Sequence, residues 1–282
     1  MKPIRVGKIA IGGGAPLALI AGPCVIEDEE KTAEIARYLK DLTGELGIPL
    51  IFKASYDKAN RTSRDAYRGP GLTRGLEILK MIREEFGIPV LSDVHRFEEI
   101  DPAARVLDAL QVPAFLCRQT DFVMEVARKA KAVNIKKGQF LAPWDAVHIA
   151  EKVAAAGNAH LMMTERGVSF GYNNLVVDFR AFSIMREMGY PVIFDATHSV
   201  QLPGGAGNAS GGDRRMVPCL ARAAVAAGID GLFFEVHPDP DQALCDGPNS
   251  LALDSLPDLL VTLKRIDAAV RETRECITGE GA

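Results

Sequence analysis

Short apolar segments recur along the whole chain, and polar residues do not alternate with apolar ones inside them. Eight of these segments are rich in Val, Ile, Leu and Phe: Leu17–Ala21, Pro49–Lys53, Pro89–Asp93, Asp108–Val112, Ala132–Lys136, His160–Thr164, Pro191–Asp195 and Gly231–Val236. Strands of this composition are covered on both faces, as in a parallel sheet. Parallel strands need a crossover after each strand, so helices are expected between them.

Segments with helical periodicity lie between these strands. The clearest are Glu29–Leu46, Thr73–Phe86, Asp213–Ala227 and Leu256–Val270. Gly-X-Pro triplets beginning at Gly47, Gly87 and Gly189 each end a helix and open a strand, because Gly caps the helix and Pro blocks its continuation.

Eight such units in 282 residues predict an α/β fold, a single (β/α)8 barrel over residues 1–282. Residues 1–14 are expected to form a hairpin that closes the barrel floor. The alternative is a doubly wound sheet, which would need a glycine-rich loop after its first strand.

Composition narrows the classes of function. The net charge of −4 and the lack of a basic run give no reason to expect nucleic-acid binding. No apolar run approaches the ~20 residues of a membrane span.

Five cysteines without CxxC spacing fit a reducing cytoplasm. Lys2, Arg5 and Lys8 precede an apolar stretch as in a signal peptide, but Pro16 and three glycines interrupt it.

Cations follow five of the eight strands, where the active site of such a barrel lies. They are Lys53, Lys58, Arg61 and Arg64 after strand two, His95 and Arg96 after strand three, Arg118 after strand four, Lys136 and Lys137 at the end of strand five, and Arg166 after strand six. A single Lys or Arg in a loop is usually solvated surface. A converging set, however, is suited to phosphate or carboxylate groups.

A second set of residues has the chemistry of a transition-metal site. Cys24 in AGPC, His198 in DATH, Glu235 in FEVH and Asp246 in CDGP each lie at or beyond a strand end. Thiolate, imidazole and carboxylate donors suit zinc, iron(II) or manganese, and the donors alone do not select among them. The alternative for Cys24 is a small hydrophobic residue.

The segment Gln201–Arg215 contains five glycines and follows the seventh strand. It is long for a barrel connection, which favours a mobile lid over a plain flexible loop.

Seven motifs together resemble the 3-deoxy-D-manno-octulosonate 8-phosphate synthase family over nearly the whole chain. They are KASYDKANRTS (Lys53–Ser63), YRGPGL (Tyr67–Leu72), SDVH (Ser92–His95), PAFLCRQTD (Pro113–Asp121), FGYNNLVVD (Phe170–Asp178), IFDATHSVQ (Ile193–Gln201) and HPDPDQALCDGPN (His237–Asn249). The resemblance implies condensation of phosphoenolpyruvate with D-arabinose 5-phosphate and water, which feeds lipopolysaccharide synthesis. It also implies a homotetramer.

The resemblance also implies roles for individual residues. Phosphoenolpyruvate would be held by Lys53, Ser55, Lys58, Lys136, Gln139 and Arg166, and the sugar phosphate by Asn60, Arg61, Thr62 and Ser63. Asp93 is a further substrate-binding candidate, and Arg118 would reach a phosphate in a neighbouring subunit. Catalytic roles would fall to Lys58, Asn60, His198 and Asp246, and one divalent metal ion to Cys24, His198, Glu235 and Asp246.

The family has a metal-dependent and a metal-free branch. Cys24 occupies a position that is asparagine in the metal-free branch, which favours metal dependence, whereas the CDGPN context of Asp246 resembles the metal-free branch. The nearest rival is heptulosonate 7-phosphate synthase, which carries Lys-Pro-Arg-Thr where this chain has KANRT. A catalytically silent phosphosugar-binding barrel is the third alternative.

Overall fold

The chain folds around a closed barrel of eight parallel strands, as the sequence predicts. This computed structural model describes residues 1, 3–205 and 210–279, with side chains as far as residue 273. The barrel strands are β1 (Ala18–Gly22), β2 (Leu50–Lys53), β3 (Val90–Asp93), β4 (Ala109–Val112), β5 (Val133–Lys136), β6 (Leu161–Glu165), β7 (Val192–Asp195) and β8 (Gly231–His237). Each pairs in parallel with its successor, and β8 pairs with β1 to close the barrel.

Helices follow the strands and cover the outside of the barrel. They are α1 (Glu29–Leu46), α2 (Leu72–Phe86), α3 (Phe97–Val106), α4 (Thr120–Lys129), α5 (Ala146–Ala155), α6 (Arg180–Arg186), α7 (Val217–Ala226) and α8 (Leu256–Gly279). The largest apolar cluster lies between the outward strand faces and these helices. Among the helices of the described chain, none has the length and apolar character needed to cross a bilayer.

The N-terminal hairpin closes the barrel floor, as expected. Strands Ile4–Val6 and Ile9–Ile11 pair antiparallel. Their buried side chains form one cluster with inward-pointing residues at the lower end of the barrel: Ala18, Ile20, Ile51, Leu91, Ala109, Ala132, Met162, Ile193 and Phe233. This apolar layer fills the interior beneath the polar rim.

The predicted elements differ from the observed ones mainly at helix ends. α7 begins at Val217 instead of Asp213, because Asp213 accepts a hydrogen bond from the Arg215 amide and caps a separate 3-10 turn. Pro218 then lies in the first turn of α7, where its missing N–H has no intrahelical role. α8 continues past the predicted end at Val270 to Gly279.

The segment predicted as a lid is anchored at its base. Gln201–Leu202 and Gly211–Gly212 pair antiparallel, so the two ends of the segment form a short hairpin beside the rim. Residues 206–209 of the predicted lid lie outside the described residues.

Candidate active site

Charged side chains form a layer directly above the apolar barrel floor. Side chains of a strand alternate between its two faces, so a residue two positions after an inward apolar residue also points inward. Ile51, Leu91, Ile193 and Phe233 belong to the floor cluster. The same rule then brings Lys53, Asp93, Asp195 and Glu235 into the layer above, together with Gln111 and Lys136, and all six side chains are buried.

The four predicted metal ligands fall into two overlapping clusters that share Asp246. The donor atoms of His198, Glu235 and Asp246 lie within 4.8 Å of one another. The Cys24 thiol donates to Asp246 Oδ2 at 3.4 Å. Glu235 Oε2 lies 3.5 Å from His198 Nε2, and this buried oxygen has no hydrogen-bond partner among the described residues. A sulfur, an imidazole nitrogen and carboxylate oxygens converging on an unpaired oxygen fit a divalent transition-metal ion.

Asp195 orients the imidazole of His198 and was missed by the sequence analysis. Its Oδ2 accepts from His198 Nδ1 at 2.6 Å, and its Oδ1 accepts from the His198 amide at 2.9 Å. The Thr197 hydroxyl donates to Oδ1 as well. With Nδ1 engaged, Nε2 is left facing Glu235 and Asp246. Burial lowers the pKa of His198 to about 3, so the ring is neutral and offers a lone pair.

Neighbouring charges set the ionisation of the other candidate ligands. Burial alone would raise the pKa of Glu235, but the ammonium groups of Lys58 and Lys53 beside it hold it well below its usual range. Burial raises the pKa of the Cys24 thiol, and the adjacent Cys245 and Glu235 raise it further. The thiol of Cys24 therefore needs a cation beside it to ionise, which a bound metal ion would supply.

Buried cations face the same space. Lys53 Nζ donates to Ser55 Oγ and to Glu235 Oε1, and Lys58 Nζ lies 3.6 Å from the same Glu235 oxygen. Arg166 donates to Gln201 Oε1 at 2.8 Å. Lys136 Nζ contacts Asp195 and lies 3.6 Å from the centre of the Phe233 ring. Burial, with Arg166 and Lys53 nearby, lowers the pKa of Lys136 well below its usual range. A bound anion would relieve this repulsion.

A cavity of about 760 Å³ opens above the charged layer. Most predicted substrate-binding residues line it: Lys53, Lys58, Asn60, Arg61, Thr62, Asp93, Lys136, Gln139 and Arg166. His198 and Asp246 line it as well, while Cys24 and Glu235 are buried beneath.

Three predicted residues lie elsewhere. Ser55 is fully buried behind Lys53 and donates to Asp93 Oδ1 at 2.5 Å. Ser63 accepts from the Asp65 amide, outside the cavity that the described residues form. Arg118 is exposed on the outer rim, where its carbonyl accepts from Lys152. Arg118 therefore does not line the cavity of its own chain. Its predicted role concerns the cavity of a neighbouring subunit.

The cavity also has polar residues to which the family resemblance assigned no role. His95 lines it and lies 2.9 Å from Asp93 Oδ2 through Nε2. Gln111 lines it and accepts from Asn134 Nδ2. Gln111 lies within β4, where a strand-end rule does not select it, whereas Asp195 ends β7 and was passed over although that rule covers it. Inward alternation from Ala109 and Ile193 would have found both.

Comparison with known proteins gives this cavity a context. The profile described as the DAHP synthetase I family matches residues 1–272. This chain belongs to that family. Members similar to it include a protein of Geotalea uraniireducens (strain Rf4), 62% identical over 271 residues, which cover 96% of this chain and 100% of the relative. Proteins of Geobacter sp. (strain M21) and Trichlorobacter lovleyi are 61% and 62% identical, over 96% of this chain and 99% of each relative.

All three relatives are named 2-dehydro-3-deoxyphosphooctonate aldolase. That is another name for the octulosonate 8-phosphate synthase, so the resemblance drawn from the motifs is confirmed. The heptulosonate 7-phosphate synthase considered above belongs to the same family, because the family is described by the name of that enzyme, DAHP synthetase.

Proposed function

We propose that this protein condenses phosphoenolpyruvate with D-arabinose 5-phosphate and water. The products are 3-deoxy-D-manno-octulosonate 8-phosphate and inorganic phosphate, for lipopolysaccharide synthesis. The observation that carries the proposal is the full-length identity of 61–62% to relatives named for this aldolase. The cation-lined cavity supports it, because the two substrates together bring two phosphates and a carboxylate.

The buried cations are placed to hold phosphoenolpyruvate at the barrel mouth. Lys53, Lys136 and Arg166 are buried at the end of neighbouring or facing strands, and an anion among them offsets their mutual repulsion. Preorganised cations of this kind stabilise charge that develops on oxygen without having to reorganise. Lys58 and Arg61 lie on the loop after β2, at the wall of the cavity, where the sugar phosphate would extend.

The assay that tests this function compares two aldehydes. Phosphate release from phosphoenolpyruvate is expected with arabinose 5-phosphate, and at a far lower rate with erythrose 4-phosphate, because Asn60 lengthens the KANRT segment. Faster turnover with erythrose 4-phosphate would instead assign the heptulosonate reaction. If neither aldehyde supported release, the silent phosphosugar-binding barrel would replace the enzyme.

We further propose that one divalent ion binds Cys24, His198, Glu235 and Asp246. The triad of His198, Glu235 and Asp246, the contact of Cys24 with Asp246 and the unpaired Glu235 oxygen support this site. When bound, such an ion polarises an aldehyde oxygen or lowers the pKa of a bound water. Chelation is expected to abolish turnover, and zinc, iron(II) or manganese to restore it. Full activity in enzyme verified to be metal-free would assign the protein to the metal-free branch.

Substitution at Cys24 separates metal binding from turnover. Cys24→Asn is expected to lose the metal ion and to keep measurable activity, because the metal-free branch has asparagine at this position and the CDGPN segment already resembles that branch. Metal content by elemental analysis and phosphate release on the same preparation check both parts. A folded, metal-free and wholly inactive variant would contradict this prediction.

A homotetramer is the assembly we propose. Arg118 is exposed on its own barrel, and the described surface also exposes large aromatic side chains, among them Phe115 (53% exposed) and Trp144 (64% exposed). Large exposed aromatic side chains are common at protein interfaces. Light scattering on the purified protein gives the subunit number. If the assembly places Arg118 at a neighbour's cavity, Arg118→Ala is expected to raise KM for a phosphorylated substrate without breaking the tetramer.

A further inference from the structure

A second thiol lies beside the proposed metal site, and the proposed chemistry does not use it. The Sγ atoms of Cys24 and Cys245 and a carboxylate oxygen of Asp246 all lie within 4.8 Å of one another. Both cysteines are buried, with 5% and 3% of their surfaces exposed. A hydroxyl in place of the Cys245 thiol would accept the same hydrogen bonds, so neither packing nor the proposed metal ligation requires sulfur there.

The two thiols differ in their access to the cavity. Cys245 lines it, whereas Cys24 lies beneath and donates to Asp246. Arg61 Nη1 donates to Cys245 Sγ at 2.6 Å, which places a guanidinium against this sulfur. Cys245 is the thiol that a small oxidant in the cavity reaches, so Cys245 is positioned to be oxidised first and Cys24 to react second.

The backbone brings the two cysteines together from neighbouring strands. Cys24 follows β1 by two residues and Cys245 lies in the loop after β8, and these strands pair directly through Gly22 and Glu235. Neither residue lies within a strand or a helix. The sulfurs must approach to about 2.05 Å for a bond. Movement of two loop side chains can provide this without breaking a strand ladder.

We propose that Cys24 and Cys245 form a site of reversible oxidation by peroxides. The Cys245 thiol and hydrogen peroxide give a sulfenic acid and water. The Cys24 thiol then attacks the sulfenic sulfur, which forms the disulfide and releases a second water. Two thiols are oxidised and one peroxide is reduced. The disulfide removes Cys24 as a metal donor, and a dithiol reductant restores both thiols. This consequence rests on the proposed metal site, whereas the disulfide itself does not.

The test uses the purified full-length protein, reduced and then loaded with Zn²⁺ or left without it. After treatment with hydrogen peroxide, titratable thiols are expected to fall from five to three. Non-reducing peptide mapping is expected to find Cys24 joined to Cys245. In the loaded sample a chromogenic chelator should register released zinc, and dithiothreitol should restore zinc binding and turnover together. Loss of turnover without a recovered disulfide would contradict the proposal.

Two variants separate this site from general oxidation. Cys245→Ser is expected to bind Zn²⁺ as the wild type does, to form no disulfide with Cys24, and to lack recovery by dithiothreitol. Cys219→Ser removes an exposed thiol of α7 and is expected to behave as the wild type. A Cys245→Ser protein that is still inactivated and recovered like the wild type would overturn the proposal. Peptide mapping of the wild type decides it if that variant fails to fold.

The same measurements separate failure of this site from failure of the proposed function. Disulfide mapping and zinc release require no substrate. Reduced protein that does not turn over phosphoenolpyruvate with either aldehyde would remove the synthase assignment and leave the oxidation result in place.

Discussion

At the scale of single residues, the site depends on which buried charges have a fixed partner. Asp195 is held by four donors, from Thr197, His198 and Lys136, and the guanidinium of Arg166 is held by Gln201 and the His198 carbonyl. Buried charges with such partners keep one orientation. The substrate therefore meets groups that are already aligned.

Arg166→Ala tests the phosphoenolpyruvate contact. The variant is expected to raise KM for phosphoenolpyruvate and to lower kcat/KM by about 30-fold or more, because a charge-assisted phosphate contact contributes about 2–4 kcal/mol. Steady-state kinetics with each substrate varied in turn measure the effect. Arg180→Ala is the control, since Arg180 is exposed and pairs with Asp178. Equal KM values for the wild type and Arg166→Ala would remove Arg166 from this role.

Asp195→Asn tests the support of His198. The variant is expected to bind Zn²⁺ about 10- to 100-fold more weakly, because the carboxylate that orients a ligating imidazole contributes that much to metal affinity. Competition with a chromogenic chelator measures the affinity without an activity assay. Asp178→Asn, at an exposed carboxylate, is the matched control. Unchanged zinc affinity in a folded Asp195→Asn protein would show that His198 needs no such support.

At the scale of elements, the sequence was sufficient for the strands because each is mainly apolar and three of them open with a Gly-X-Pro triplet. All eight predicted strands match observed ones to within one residue at either end. The sequence predicted one shared metal site, because strand ends of a parallel barrel share one rim. Its residues are Cys24, His198, Glu235 and Asp246. Gln111 was not predicted, since a strand-end rule says nothing of residues within a strand, whereas Asp195 ends β7 and could have been found by that rule. A contact such as Arg61 with Cys245 depends on side-chain positions in two loops.

Two glycine substitutions compare a crowded position with an open one. The crowded position lies in the hairpin base formed by Gln201–Leu202 and Gly211–Gly212, and the open one lies in helix α1. A Cβ at Gly212 would lie 1.4 Å from Asn249 Oδ1, an atom buried on the loop that carries Asp246. Gly212→Ala is therefore expected to displace this loop and to lower both turnover and zinc affinity. A Cβ at Gly44 in α1 would have open space within 4 Å, and Gly44→Ala is expected to stabilise the protein by about 0.5–1 kcal/mol.

Thermal unfolding, turnover and zinc titration on both variants check this contrast. Gly44→Ala also serves as the control for adding a methyl group to the chain. If Gly212→Ala kept the turnover and the zinc affinity of the wild type, the contact between Gly212 and Asn249 would have no bearing on the site.

At the scale of the whole molecule, a buried chain of hydrogen bonds and ion pairs links the rim to helix α3. It runs from Lys53 through Ser55 and Asp93 to His95, and from there to Glu99 at the start of α3. Burial alone would lower the pKa of His95, but Asp93 and Glu99 raise it to about 9. His95 therefore carries a charge at neutral pH. The same imidazolium holds the pKa of Asp93 well below its usual range, against the opposing effect of burial.

The free energy of unfolding should depend on pH because of this charge. A histidine whose pKa rises from about 6.5 in the unfolded chain to about 9 in the folded one contributes stability that is fully present below about pH 6.5. The contribution is lost as the pH rises through 9, by at most about 3 kcal/mol. Asp93 and Glu99 stay ionised in both states over this window, so they do not mask it.

His95→Gln removes the titrating group, so the free energy of unfolding is expected to fall more steeply for the wild type than for the variant between pH 6.5 and 9.5. Denaturant unfolding at a series of pH values measures both slopes. His148→Gln is the control, because His148 is 70% exposed and should leave the slope unchanged. Parallel curves for the wild type and His95→Gln would mean that His95 is neutral in the folded protein. Asp93 would then lose the cation that keeps it ionised beneath the cavity.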